Sequence, residues 1–183
     1  MSARTLPDPA NLEQLKKQAK DLLKAFRDGD SDALQEFSDG HPRQVSAADA
    51  KLTDAQLTLS RSYGFDSWPK LRKEVAGRQL RSAIWGRNLS AARDALTEEP
   101  ENLNENGPHP RFGGRPTPIQ IAAERGETEI VRLLLDAGAD PDGGTHEYGW
   151  TALKLAAHWG HTKIAQLLIA SGANFDIFAA VLL

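Results

Sequence analysis

Between Thr117 and Asn174 the chain carries one pattern twice, at a constant offset of 34 residues and without a gap. Thr117-Pro118-Ile119-Gln120-Ile121-Ala122-Ala123-Glu124-Arg125-Gly126 opens the first copy and Thr151-Ala152-Leu153-Lys154-Leu155-Ala156-Ala157-His158-Trp159-Gly160 the second. IVRLLLDAGA (130–139) and IAQLLIASGA (164–173) close them. A fixed period of this length marks a solenoid, in which each copy is a thin layer that buries its apolar stripe only against its neighbours. Within a copy, Thr117 can N-cap a short helix and Pro118 suits its first position. Ile119, Ala122 and Ala123 share one face, and the small alanine pair lets another helix approach closely. Gly126 ends the helix. A second helix follows, with Ile130, Val131, Leu133, Leu134 and Leu135 too apolar for a free surface. Gly138 stands where a left-handed C-cap is expected. Thr151, Ala156, Ala157, Gly160 and Gly172 repeat each element.

These residues closely resemble the ankyrin repeat, whose T-P-L-H-x-A signature is matched by Thr117–Ala122 and Thr151–Ala156. The departure is the fourth position, where Gln120 and Lys154 replace the usual His; the expected consequence is the loss of one side-chain tie between repeats. A worn earlier copy begins at Leu80-Arg81-Ser82-Ala83-Ile84-Trp85-Gly86. Setting Gly86 against Gly126 gives an offset of 40, with the surplus in a Pro/Gly-rich loop over residues 101–115. After Asn174, the apolar run 175–183 reads as a partial repeat, a capping helix, a self-association surface or the cut end of a longer array.

The N-terminal part predicts helices of its own. Asn11 to Asp28 is amphipathic, with Leu12, Leu15, Ala19, Leu22, Leu23 and Phe26 on the apolar side and five basic residues mostly off it. Asp28–Asp32 resembles a calcium loop only in its first turn. Ala33 and Asp39 occupy the positions that need Gly and Glu, so a helix stop followed by an N-cap at Asp30 or Ser31 is the reading. Two further helices are expected from Thr53 and from Ser67. Helix, glycine turn, helix is also the outline of a DNA-binding element, with Lys70, Arg72 and Lys73 on its second helix. The segment Tyr63-Gly64-Phe65-Asp66-Ser67-Trp68-Pro69-Lys70-Leu71 resembles one in small helical modules that precede ankyrin arrays in bacterial proteins, which implies a bacterial origin and no activity.

The expected fold is therefore all-α: a helical module over 1–78, then an ankyrin-like solenoid over 79–183. The solenoid divides into a degenerate repeat with a long loop (79–116), two full repeats (117–150 and 151–174) and the terminal piece (175–183). Charge is divided unevenly along it. Residues 1–81 hold 14 Lys+Arg against 12 Asp+Glu, and residues 82–183 hold 8 against 13, for a net charge of −3 overall. No global field calls for nucleic acid. The absence of cysteine excludes disulfides and thiolate chemistry. No apolar run reaches the roughly 20 residues of a membrane span, and the N-terminus lacks a signal-peptide core, so a cytoplasmic protein is expected.

No catalytic, cofactor or metal site is expected. His158 and His161 have no third ligand spaced to join them. Gly113-Gly114-Arg115-Pro116-Thr117 lacks the ending of a phosphate loop, and Glu98, Glu99 and Glu101 have no apolar surroundings to shift their pKa. The resemblance implies instead a binding face on loop tips and inner helices. Its tips would be Arg111, Phe112 and Arg115, then His146, Glu147, Tyr148 and Trp150. Its inner-helix positions would be Trp85, Glu124, Arg125, His158 and Trp159. Arg and aromatic residues are the usual interface anchors, although each Trp could equally pack between repeats. The expected function is a non-enzymatic protein-interaction module with a protein partner. The alternatives are a nucleic-acid binder using the basic N-terminal helices, and the targeting arm of an enzyme whose catalytic part lies elsewhere.

Overall fold

The structure is a computed structural model describing residues 4–7, 10–144 and 149–175. The described residues form nine α-helices, one 3-10 helix and no strand. Contacts divide the chain into two compact units, Met1–Val75 and Ala76–Leu183.

In the first unit, α1 (Leu12–Arg27), α2 (Ser31–Gly40) and α3 (Leu52–Ser62) pack together with the start of α4 (Trp68–Trp85). Their ends follow from capping chemistry. Asn11 accepts the amides of Glu13 and Gln14, and Asp30 accepts those of Asp32 and Ala33, so Asp30 rather than Ser31 is the cap. The stripe predicted for α1 is buried at Leu12, Leu15, Ala19 and Phe26. Phe26 stacks on Phe37 with ring centroids 3.8 Å apart. The expected division at 78/79 falls inside α4, which is one unbroken helix.

The second unit is the repeat stack. After the end of α4 come α5 (Leu89–Glu98) and a 3-10 helix (Pro100–Asn104), then α6 (Pro118–Arg125) and α7 (Thr128–Asp136), then α8 (Ala152–His158) and α9 (Thr162–Ala170). The short first helices lie deepest. Pro118 to Ala123 are buried without interruption, as are Ala152, Leu153, Ala156 and Ala157. The second helices bury one stripe, Ile130, Val131 and Leu134 in α7 and Ile164, Ala165 and Leu168 in α9. One continuous core runs from Leu80 through these residues to Ala173. The paired alanines therefore sit inside, as the spacing required. Residues 176–183, and with them most of the apolar terminal run, lie outside the described residues; Phe175 is exposed.

The turn between helices recurs with one backbone geometry. The amides of Asn88, Glu127 and His161 donate to the carbonyls of Ala83, Ala122 and Ala156 at 2.9, 3.1 and 2.7 Å. The residues just before those amides, Arg87, Gly126 and Gly160, all have left-handed φ, of 60°, 75° and 72°. This corrects the register of the worn copy: Arg87, not Gly86, is the counterpart of Gly126. The offset is then 39, and Ala92 falls on Val131, both fully buried. The glycine at 86 misled because left-handed backbone ordinarily selects glycine. Arg87 tolerates it with its guanidinium tied to Glu127 at 2.8 Å and to the carbonyl of Arg125 at 3.4 Å.

The two glycine turns differ in what surrounds them. A Cβ on Gly160 would meet open space, whereas one on Gly126 would stand 2.7 Å from Cε1 of His161. Gly160→Ala is expected to cost about 1 kcal/mol, the left-handed penalty alone. Gly126→Ala should cost about 1 kcal/mol more, because the imidazole must shift. Urea unfolding of both variants checks this; equal losses would mean that His161 moves aside freely.

Candidate functional site

The predicted anchor residues gather where the first helix of each repeat ends. In the register above, Trp85, Glu124 and His158 are counterparts, as are Gly86, Arg125 and Trp159. Consecutive copies thus bring these pairs onto one rim of the stack. The loop over residues 105–117 folds back onto this rim. Gly107 and His109 donate backbone bonds to the carbonyls of Pro116 and Gly114, both at 3.2 Å. Asn106 and Arg115 exchange bonds with each other's carbonyls at 2.9 and 3.2 Å.

His109, which the sequence reading left out, organises the first cluster. The amides of Arg111 and Phe112 donate to its Nδ1 at 3.0 and 2.8 Å. Nδ1 is therefore the bare nitrogen and Nε2 carries the proton, which it donates to Oε2 of Glu124 at 3.2 Å. The ring meets Trp85 edge-on at 5.0 Å between centroids and tilts against Phe112 at 5.1 Å. Phe112 also meets Trp85 at 5.6 Å and 88°. On the Trp85 ring lies the Arg125 guanidinium, 4.3 Å from the centroid, a cation–π contact. The position of His109 between Pro108 and Pro110, in the surplus loop, was the signal available: prolines restrict the backbone so that the imidazole is presented in one direction.

The second cluster is smaller. His158 stands between Trp150 and Trp159, meeting each edge-on at 5.2 Å. Trp150 is half-buried and its carbonyl accepts a bond from Gln120 at 2.8 Å, while Trp159 is 55 % exposed. Arg111, Phe112 and Arg115 are all exposed, and Phe112 reaches 59 %. The structure thus joins Phe112, Glu124 and Arg125 in one cluster and Trp150, His158 and Trp159 in another. His146, Glu147 and Tyr148 lie outside the described residues.

The fourth signature position behaves differently from the expectation. Gln120 does not lose the inter-repeat tie; it supplies one. Its amide nitrogen donates to the carbonyls of Gly144 and Trp150, both at 2.8 Å, and its oxygen accepts the Thr117 amide at 2.9 Å. A glutamine carries both donors and an acceptor, so it can hold the next loop and cap its own helix together. Successive loops are tied again by side chains. Asn104 accepts the Asp140 amide at 3.0 Å, and Asp142 accepts the Asn174 amide at 3.0 Å.

In the first unit, Lys70 is bonded to Asp66 at 2.5 Å, and this contact holds the Asp66 carboxyl below its usual range. One of the three basic residues proposed for DNA contact is thus already satisfied. No group of three or more potential metal ligands occurs among the described residues. No helix among them is long and apolar enough to cross a membrane.

A family model described as ankyrin repeats in three copies matches residues 81–179. Two rice (Oryza sativa subsp. japonica) proteins, the probable E3 ubiquitin-protein ligases XBOS32 and XBOS33, are each 43% identical to this chain over 63 residues, 32% of its length. That stretch is 13% and 12% of their own lengths, so the chain spans about an eighth of the curated relatives it matches.

Proposed function

Because the chain belongs to the ankyrin-repeat family, we propose that it is a non-enzymatic module that grips a protein partner along the loop-tip and inner-helix rim. The observation that carries this reading is the pair of exposed aromatics. Phe112 abuts Trp85 in the first copy, and Trp159 abuts His158, its counterpart, in the third. Both rings are more than half exposed; Trp85 beside Phe112 is partly covered, and so is Trp150 on the far side of His158, which is itself exposed. Apolar rings held by packed supports, with arginines around them, are how interface hot spots are built. On this reading Arg111, Arg115, Glu124, Arg125, Trp150 and His158 frame the anchors; His146 and Tyr148, which lie outside the described residues, are counted with them on the repeat pattern alone. The helical module over 1–78, a bacterial origin and a cytoplasmic location belong to the same proposal.

Removing an exposed ring leaves the core intact, so Phe112→Ala and Trp159→Ala should each change stability by less than about 0.5 kcal/mol. Each should weaken partner capture by about 30-fold, the usual hot-spot loss. Affinity capture with mass spectrometry, followed by titration of the captured protein, tests this. Undiminished binding by both folded variants would rule out the rim. The ligase activity in the relatives' names is not carried over, because the likeness is confined to a small part of each relative.

A further inference from the structure

The charges around Phe112 and Trp85 bear on the kind of partner this rim accepts. We infer that the segment seated there is an acidic peptide, with an apolar side chain against the two rings and carboxylates on Arg125 and Arg111. This inference rests on the rim reading above and adds the partner's chemistry to it.

Three observations carry it. The first is Arg125. Its guanidinium is held on the Trp85 ring, 4.3 Å from the centroid, and its Nε is buried without a hydrogen-bond partner. Among the described residues it forms no ion pair, and the residue is half-buried. A cation drawn part-way out of water without a carboxylate is unfavourable until one arrives. The guanidinium is also the group that grips a carboxylate best, through parallel hydrogen bonds. The second is that the nearby carboxylates are already engaged. Glu124 accepts the Nε2 proton of His109 at 3.2 Å, and Glu127 pairs with Arg87 at 2.8 Å. The third is the local charge. From Asn106 to Gly126 the chain has three arginines and one carboxylate, Glu124. Arg111 is exposed, and its backbone amide is fixed on Nδ1 of His109 at 3.0 Å. Its guanidinium has no bonded partner among the described residues. Arg115 donates to the Asn106 carbonyl at 3.2 Å and meets no carboxylate among them. Cations thus stand on both sides of the Phe112–Trp85 pair, Arg111 next to Phe112 in the chain and Arg125 on the indole. The patch is local, because residues 82–183 as a whole hold 8 Lys+Arg against 13 Asp+Glu. A polynucleotide would run from it onto acidic surface, so a short acidic peptide suits it better.

Panning a random-peptide phage library on the full chain, then measuring synthetic copies of the enriched peptides by fluorescence anisotropy, tests the assignment. The enriched sequences should carry Asp or Glu beside Leu, Phe, Tyr or Trp, and should bind more weakly as salt rises. Arg125→Gln should lower their affinity by about tenfold, as loss of a hydrogen bond to a charged group does. Arg111→Gln, at an exposed position, should lower it by about threefold. Changing the peptide's acidic residue to its amide should match the Arg125→Gln loss and add little in that variant, since both changes remove one contact. Circular dichroism shows whether Arg125→Gln is folded; if it is not, Arg111→Gln and the amide peptide decide, because neither disturbs the packed indole. Phe112→Ala separates this inference from the reading it rests on. Peptides that need Phe112 but bind equally well without a carboxylate, or equally well to both arginine variants, would overturn the acidic partner and leave the rim standing. Peptides indifferent to Phe112→Ala, or no enriched peptide at all, would overturn the rim and the acidic partner with it. An oligonucleotide that displaces the peptide at equal concentration would overturn the assignment by making the patch a nucleic-acid contact.

Discussion

Replacing Gln120 by leucine should destabilise the full-length protein by about 3 kcal/mol, counting about 1 kcal/mol for each of three hydrogen bonds whose partners are left without it. The size of this loss follows from burial. Gln120 is fully enclosed, and the carbonyls of Gly144 and Trp150 both depend on its amide nitrogen. Leucine fills much the same space, so the loss would not come from a cavity. Two companions separate the causes. Gln120→Glu keeps the acceptor for the Thr117 amide but turns a carboxylate oxygen toward two carbonyls at neutral pH, so it should be worse than leucine. Gln120→His offers one ring donor and should be the mildest of the three. Urea unfolding gives the ranking, and hydrogen exchange should place the weakened amides in α6 and in the loop after Asp140. If glutamate proves no worse than leucine, the amide is not holding that loop.

The Gln120 result bears on what could be read without coordinates. Two periodicities made the stack legible: the 34-residue offset located the copies, and the spacing of Ala122, Ala123, Ala156 and Ala157 located the interior. The helix caps at Asn11 and Asp30 were equally plain, because capping is local chemistry. The illegible features were those decided by distant neighbours. Whether glutamine replaces the missing histidine depends on two carbonyls, 24 and 30 residues ahead. That Arg87 rather than Gly86 adopts the left-handed turn depends on Glu127, forty positions away. His109 gained its place through Glu124 and Trp85, neither of which its own sequence surroundings announce. The rim was predicted as a set of positions and found as two clusters, because a repeat alignment assigns each residue to a layer without saying which side chains meet.

The second large effect concerns the residue at the fourth signature position of the worn first copy. In the corrected register that residue is Arg81, the counterpart of Gln120 and Lys154. It is a buried cation, 2 % exposed, beside Asn102, which is 3 % exposed. Its guanidinium lies between two backbone surfaces. A Cβ on Gly77 would come within 3.1 Å of it, and one on Gly107 would run into its centre. Gly107→Ala must therefore expel the guanidinium from its slot and break the contacts made there. An effect of about 3 kcal/mol is expected, as for other buried charges whose partners are lost. The enlarged loop should loosen with it, since the Gly107 amide holds the Pro116 carbonyl. The same substitution in an Arg81→Met background isolates the cause. Methionine is flexible and has no planar head to collide, so the added methyl group should then cost less than about 1 kcal/mol. Thermal unfolding of the four proteins completes the cycle. An equal cost in both backgrounds would place the strain in the loop backbone. A coupling of about 2 kcal/mol would mean that glycine is required at 107 because an arginine occupies the position where the other repeats have glutamine and lysine.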